Sequence, residues 1–452
     1  MSVQVGPIEA TTREDRPRAR RKVLVLAYVI SPFRGSEYSV AWNFVTQMSR
    51  WCDITVLFGA SGPHMGDVDE IQDYLRQHAV PNVRFVPVAP GRLANLLNQA
   101  NRKGWLTYSF YFAYRLWHQQ AYRRAVELVR AERFDLVHYL GPIGYREPGY
   151  LWQLGLPYVW GPIGGANNLP RQLAAALPWS GKLKLTLRAA VNWFQLRFSW
   201  RVRRALSRVD VLLTATTENQ ALFRDVLGKD SLYLPENGIV GPIALDRAKF
   251  ADLGTIQLIW IGSVEARKAL RILVEALARC RTAGRFRVHV VGDGPLRAGL
   301  EAQVRASGLA ARFVWHGQVA RGQVQALLAR SHLHVVTSVS EGNPTTIWEA
   351  MSRGVPTLTI DHCGMHDTVT AASGIKIPLS DYDGLVEAFA RRLDDLAARP
   401  EQLTALAEGV LAEAPRHHWD RRPAFFLARY EEAIQARRAR PANATAGQER
   451  TP

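Results

Sequence analysis

From Lys22 onward the chain alternates two hydrophobic periods. Lys22–Ile30 (KVLVLAYVI) is a continuous apolar run, the pattern of a strand buried on both faces. A polar loop, SPFRGSE, follows, and then a helical pattern through Ser49. Cys52–Phe58, Val83–Val88, Leu136–Tyr139, Tyr158–Trp160 and Val209–Ala215 read as further strands of the first half, and Ser231–Pro235 approaches its end. The second half repeats the plan with Ile256–Ile261, Arg287–Val291, Phe313–His316, Leu333–Thr337 and Pro356–Ile360 as strands. Helical patterns at Arg267–Cys280, Pro295–Ala306, Gly322–Ala329 and Pro344–Arg353 separate them. Strand and helix in alternation predict parallel sheets.

The expected organisation is a polar tail at 1–20, an α/β unit at 21–240 and a second at 241–418, with the boundary near Asn237-Gly238 and Pro242. A helix at 419–436 and a polar tail at 437–452 close the chain. A length of 452 residues fits two domains. Each half reads as Rossmann-like. Ligands of such folds bind outside the carboxyl ends of the strands, so two facing sheets place a cleft between the domains.

Composition narrows the classes. Charged residues make up 21%, a globular value. No stretch of ~18 uninterrupted apolar residues predicts a spanning helix, and residues 1–22 do not read as a secretory signal. Cys52, Cys280 and Cys363 are too few and too scattered for a disulfide framework, which fits a reducing cytoplasm. Asp361, His362, Cys363, His366 and Asp367 cluster in sequence, but their spacing matches no standard metal site, and none is expected.

The net charge of +17 is uneven. Residues 74–126 hold eight basic residues and no acid; residues 148–209 hold nine and no acid. In the second stretch Leu187, Val191, Phe194, Phe198 and Val202 recur at helical spacing. Trp193, Arg197, Trp200 and Arg204 run beside them, with Arg201 and Arg208 at the flank. Trp105–Tyr122 is similarly aromatic, with Tyr108, Phe110, Tyr111, Phe112, Tyr114 and Trp117 among basic residues. Three readings stand: core aromatics with solvated arginines, a face for anionic membrane or lipid-linked phosphate, or a nucleic-acid surface. No nucleic-acid-binding signature accompanies the charge, so nucleic acid is not expected as a partner.

The run SEGNPTTIWEAMSRGVPTL (340–358) carries the most chemistry. Asn343 suits an N-cap, Pro344 the first helical position and Gly354 the far end. Free N–H groups near Thr345 and Thr346 at a positive helix end form an anion site. Glu341 before the helix and Glu349 within it are spaced to grip hydroxyls at two ends of a ligand whose phosphates lie between. IGSVEARK (261–268) puts Lys268 at the mouth of the same cleft, where an ammonium would pair with a departing diphosphate. Neither GxGxxG nor a Walker motif is present, so a nicotinamide cofactor is not indicated.

EGNPTTIWEA resembles the E-x7-E signature of the retaining glycosyltransferases of family 4, and the likeness extends over roughly residues 22–435. IGSVEARKALRILVEAL, VGDGPLR, PENGI and HHWDRRPAFFLARYEEAI look like that family's connecting segments and closing helix. SPFRGSE and GPIGGANN look like a subgroup involved in surface polysaccharide assembly. The resemblance implies a GT-B fold with a deep cleft between domains and a last helix crossing back to the N-domain. It implies that Glu341 binds the donor sugar, Glu349 the ribose, and amides near Asn343, Thr345 and Thr346 the sugar and diphosphate. Lys268 would stabilise the leaving group, Gly35 would face the diphosphate, and His138, which by itself reads as a satisfied buried histidine, would lie near the transferred sugar. The family usually carries Arg where Ser263 stands, and Arg267 or arginines of the acceptor domain are the expected substitutes. A nucleotide-sugar substrate, no cofactor, no metal, a glycan or lipid-linked glycan acceptor and a peripheral place on the inner face of the cytoplasmic membrane follow as expectations. The alternatives are a soluble acceptor, an epimerase or phosphorylase on this fold, or a non-catalytic binder of anionic lipid or nucleic acid.

Overall fold

The computed structural model of the protein describes residues 20–35, 37–59, 66, 68–103, 105, 109–142, 144–174 and 179–440. Of the expected tails, residues 1–19 and 441–452 lie outside them, as does Tyr108. The first sheet comprises β1 (Arg21–Ala27), β2 (Cys52–Phe58), β3 (Val83–Pro87), β4 (Leu136–Gly141), β5 (Tyr158–Ile163), β6 (Val211–Thr214) and β7 (Leu232–Tyr233), in the order β3-β2-β1-β4-β5-β6-β7. The second comprises β8 (Ile256–Ile261), β9 (Phe286–Val291), β10 (Phe313–Gly317), β11 (Leu333–Val336), β12 (Thr357–Ile360) and β13 (Gly374–Ile377), in the order β10-β9-β8-β11-β12-β13. The β1–β4 and β8–β11 neighbours are parallel and mark where the strand order reverses, the usual ligand position in a doubly wound sheet.

The unbroken apolar run of β1 has a simple cause. Side chains alternate across a strand, so Leu24 and Leu26 enter one core beside Trp117 and Tyr139, while Val23 and Val25 enter another beside Phe44. The second core is completed by Phe426, Tyr430, Ala433 and Ile434 of the last helix, Arg422–Ala439. The crossing helix is therefore part of the first domain's interior, and each large side chain buried there contributes about 1.5–3 kcal/mol. The helix outlasts the expected end at residue 436. Arg437 donates to the Gly155 carbonyl at 3.2 Å, and Arg440 pairs with Asp210 at 3.2 Å. These contacts order residues that the polar composition assigned to a tail.

His138 belongs to this seam rather than to the cleft. It is fully buried among Phe44, Phe426 and Tyr430. One ring nitrogen, Nε2, lies 2.8 Å from the Gly161 carbonyl and must donate to it. The other, Nδ1, then accepts from the Tyr430 hydroxyl at 2.8 Å. Burial lowers the imidazole to about 4, so it stays neutral. With both nitrogens engaged, His138 has nothing to offer a sugar. Tyr430→Phe removes the donor to Nδ1 and should destabilise the chain by roughly 1–3 kcal/mol, the cost of an unsatisfied buried acceptor. Urea denaturation would measure this. Unchanged nucleotide affinity in the folded variant completes the expectation, and a lost affinity would return His138 to the cleft.

Candidate active site

The loop after β8 is shaped by close backbone packing. The turn Ala266–Lys268 ends at Ala269, whose φ of 46° breaks the backbone, and the helix starts at Leu270 rather than at the expected Arg267. Arg267 and Lys268 thus project from a tight turn. Its carbonyls are tied to the strand β11 exit: Thr337 Oγ1 donates to Lys268 O at 2.8 Å and Val339 N to Arg267 O at 3.0 Å. The GDGP turn after β9 lies directly against this loop. A Cβ at Gly292 would stand 1.9 Å from the Gly262 oxygen, and one at Gly294 2.6 Å from that of Val264. Glycine at these two positions is a condition of the approach.

Glu341 meets both cations of the turn. Lys268 Nζ forms an ion pair with its Oε1, and Arg267 Nη1 donates to the same oxygen at 2.8 Å. Arg267 also reaches Ser340 O at 3.3 Å and Glu265 at 2.8 Å. The Glu341 carboxyl is only 10% exposed, so this cluster is poorly screened and electrostatically strong. Ser263 is exposed beside it. Glu349 sits one helix further in, 3.4 Å from Arg321, and burial raises its carboxyl while Arg321 offsets part of the rise.

The helix Thr345–Ser352 starts one residue later than its sequence indicates, with Pro344 as N-cap. Asn343 does not cap it with its side chain. Its Oδ1 accepts from Trp348 Nε1 and its Nδ2 donates to Thr368 Oγ1 at 3.2 Å, because a buried indole N–H demands an acceptor. Thr345 Oγ1 accepts from Asn237 Nδ2 at 3.3 Å, while Thr346 stays partly exposed at the helix start. Gly35 is exposed on the loop after β1, with no atom within 4 Å of its Cβ position. The structure therefore joins Lys268, Arg267 and Glu341, sets Thr345, Thr346 and Glu349 on the adjoining helix, and removes His138.

Two carboxyls escaped the motif reading. Glu37, in the first turn of Glu37–Met48, lines a hollow with Val29, Leu140 and Pro142 at the carboxyl ends of β1 and β4. Glu236, in the crossing between the domains, is buried and accepts the backbone N–H of Asn343, while its Oε2 has no partner. Burial, reinforced by the charges of Glu37 and Glu341, pushes Glu236 up to about 8. An acid inside the otherwise apolar and turn-forming PENGI connector was the available signal.

The exposed apolar stripe is real but shorter than its spacing. Leu187, Val191, Phe194 and Phe198 are exposed, as are Trp193 and Trp200. Val202 is buried, because the helix Trp179–Phe198 stops at Ser199, which caps a separate helix, Trp200–Arg208. Arg197 covers the Trp193 ring at 5.2 Å and Arg204 the Trp200 ring at 5.4 Å. Arg201, by contrast, forms a buried ion pair with Glu147.

One pH dependence follows from Glu236. Its folded value lies above the 4.5 of the free group, so the folded state holds a proton that the unfolded chain releases between about pH 5 and 8. That contribution to stability is present below this window and is lost as pH rises through it. Glu236→Gln should flatten the fall in melting temperature between pH 5.5 and 8, which thermal melts across that range would show.

Comparison with known proteins agrees with this fold. The family described as "Glycosyl transferases group 1" matches residues 255–395. A 2-deoxystreptamine N-acetyl-D-glucosaminyltransferase of Streptomyces fradiae is 30% identical over 302 residues, 63% of this chain and 68% of that protein. A 2-deoxystreptamine glucosyltransferase of Streptomyces kanamyceticus is 30% identical over 207 residues, 44% of this chain, and the match spans about half of that relative, 52%. A sucrose-phosphate synthase structure from Thermosynechococcus elongatus superposes with a TM-score of 0.62 at 16% identity, covering 92% of this chain and 100% of that one. The chain belongs to the group 1 glycosyl transferases and has their GT-B fold.

Proposed function

We propose that this protein transfers a sugar from a nucleotide-sugar donor to a hydroxyl of a glycan acceptor, with retention of configuration at the anomeric carbon. The carrying observation is the Lys268–Arg267–Glu341 cluster at the point where β8 and β11 part. Without ligand, the two cations neutralise Glu341. A donor diphosphate competes for Lys268 and Arg267, which leaves Glu341 to accept the sugar's hydroxyls. Arg267 supplies the charge missing at Ser263. Glu349 is placed for the ribose, with Thr345 and Thr346 at the positive helix end. The reaction is same-face attack: the acceptor oxygen bonds the anomeric carbon as the carbon–phosphate oxygen bond breaks, and the leaving phosphate oxygen takes the acceptor's proton. Lys268 stabilises the charge that develops on the diphosphate. No metal takes part in this step as proposed.

The acceptor side is proposed to work at an anionic membrane surface, with the acceptor lipid-linked. Among the described residues no helix is long and apolar enough to cross a membrane. The exposed Trp193, Phe194, Phe198 and Trp200, interleaved with Arg197 and Arg204, have the composition of a helix lying in the headgroup layer. This favours a peripheral, cytoplasmic-face enzyme over one with a soluble acceptor.

Thermal shift with UDP, GDP and ADP and their sugar conjugates should show stabilisation by one nucleotide, abolished by Glu349→Ala. Lys268→Ala should lower kcat roughly 100-fold or more, as loss of one charge-stabilising donor does. Stabilisation by none of the nucleotides would overturn the transfer reading. In flotation assays the full chain should rise with anionic but not neutral vesicles. Arg197→Ala and Arg204→Ala should each weaken binding about fivefold, from about 1 kcal/mol per basic residue at an anionic surface. Equal behaviour with both vesicle types would remove the membrane face.

A further inference from the structure

A second cluster spans the two domains and takes no part in the transfer site as proposed. Glu218 lies in the helix Thr217–Leu227 of the first domain. His362 and Cys363 lie at the exit of β12 in the second. One carboxylate oxygen, one imidazole nitrogen and the thiol sulfur all fall within 4.8 Å of one another. The residues neighbouring in sequence gave no standard spacing because the third ligand comes from the other domain.

Three further features single the cluster out. Cys363 has a φ of 51°, a left-handed backbone that a non-glycine residue holds only under surrounding constraint. The constraint is visible: the next residue, Gly364, is pressed against the 342–343 backbone so closely that a Cβ would stand 1.6 Å from the Gly342 oxygen. His362 Nε2 is buried without a hydrogen-bond partner. The domains are already joined around the cluster, since Thr217 N donates to Asp367 at 2.9 Å and Asn167 donates to Glu218 and approaches Cys363 Sγ at 3.9 Å.

We propose that Glu218, His362 and Cys363 form a three-ligand site for a borderline-soft divalent cation of the zinc class, which ties the domains together across the cleft. A thiolate, an imidazole and a carboxylate are the donors that zinc prefers, and three protein ligands leave a fourth position for water. Burial holds the Cys363 thiol up at about 12, so it is a neutral S–H until the cation displaces its proton to solvent. The dication, the thiolate and the Glu218 carboxylate then sum to zero charge, which suits a half-buried place. The thiol also accepts the backbone N–H of Glu341, so the tie is anchored to the loop that carries the sugar-side carboxylate. The cation's role is mechanical: it ties the two domains at this one point and is distinct from any step of transfer.

The test is metal uptake by the full chain after chelator treatment. Zinc titrated against a chromophoric competitor should bind at one equivalent at this site, and cobalt should give a thiolate-to-metal charge-transfer band. Cys363→Gly and His362→Gln should each weaken binding by 10-fold or more, and Glu218→Gln by about 10-fold. Cys363→Gly suits the left-handed backbone, so it should melt no lower than the wild type without metal while losing the zinc-induced rise in melting temperature. His289→Gln probes a close imidazole pair elsewhere, His289 and His316, and should leave the cobalt band unchanged. Zinc binding unaffected by Cys363→Gly, or cobalt binding without the thiolate band, would overturn the proposal.

Discussion

Much of the architecture turns on one buried cation. Arg422 donates to the Pro235 carbonyl at 2.8 Å and the Glu236 carbonyl at 3.3 Å, and also to that of Asn237. It lies over the Trp419 ring at 4.2 Å. Burial lowers its guanidinium to about 9, a sign of what the desolvation costs. The offset comes from three aligned carbonyl dipoles and the ring rather than from a carboxylate salt bridge. Those carbonyls belong to the first crossing between domains, and Arg422 opens the helix that makes the second. The two crossings run side by side, with Trp419 N bonded to Ile239 O at 3.0 Å and Ile239 N to His417 O at 3.0 Å. Gly238 is the point of closest approach: a Cβ there would lie 2.6 Å from the His417 oxygen. A side chain at 238 would push the crossings apart and strand the guanidinium.

That clamp reaches the chemistry directly. It fixes the backbone of 235–237, and the side chains of the same residues dock on the start of the helix Thr345–Ser352. Glu236 accepts from Asn343 N, and Asn237 donates to Thr345. The hinge and the anion-binding helix end are thus one hydrogen-bonded unit. A ligand that draws charge to the start of that helix acts on the pivot itself, which is how ligand binding and domain closure become coupled in a two-domain enzyme. The neutral state of Glu236 matters here, since a second full negative charge beside Glu341 would oppose a diphosphate.

The parts legible in the sequence were those that local physics determines. Continuous apolar runs marked strands covered on both faces, and every strand foreseen in the second half is present, although the edge strand β13 was passed over because GIKI is short and half polar. That Lys268 and Glu341 face one cleft followed from two motifs that both end at strand exits, whereas their direct ion pair did not. What sequence could not reveal depended on partners remote along the chain. Asn343 looked like a cap because Trp348 was not known to turn its N–H toward it. The resemblance put His138 near the sugar, whereas Tyr430, 292 positions away, supplies the bond that fills its last lone pair. The stripe from Leu187 to Val202 kept helical spacing across Ser199 although the backbone does not.

The same break at Ser199 explains how one segment serves two surfaces. Before it, Leu187, Val191, Trp193, Phe194 and Phe198 are left outside, and Arg197 lies over the Trp193 ring. After it, Val202, Ala205 and Leu206 turn into the core, and Arg201 is held by Glu147 under the Tyr150 ring. The buried pair is bidentate, with Nη1 and Nη2 each facing one carboxylate oxygen. It fixes the second helix against the domain, and the cap at Ser199 sets the direction in which the first departs. The exposed aromatic face is therefore held out by a specific anchor. An apolar face maintained by a buried ion pair, in a stretch of 62 residues (148–209) without one acid, is a surface the fold sustains at a cost in solvation, and such surfaces persist where something covers them.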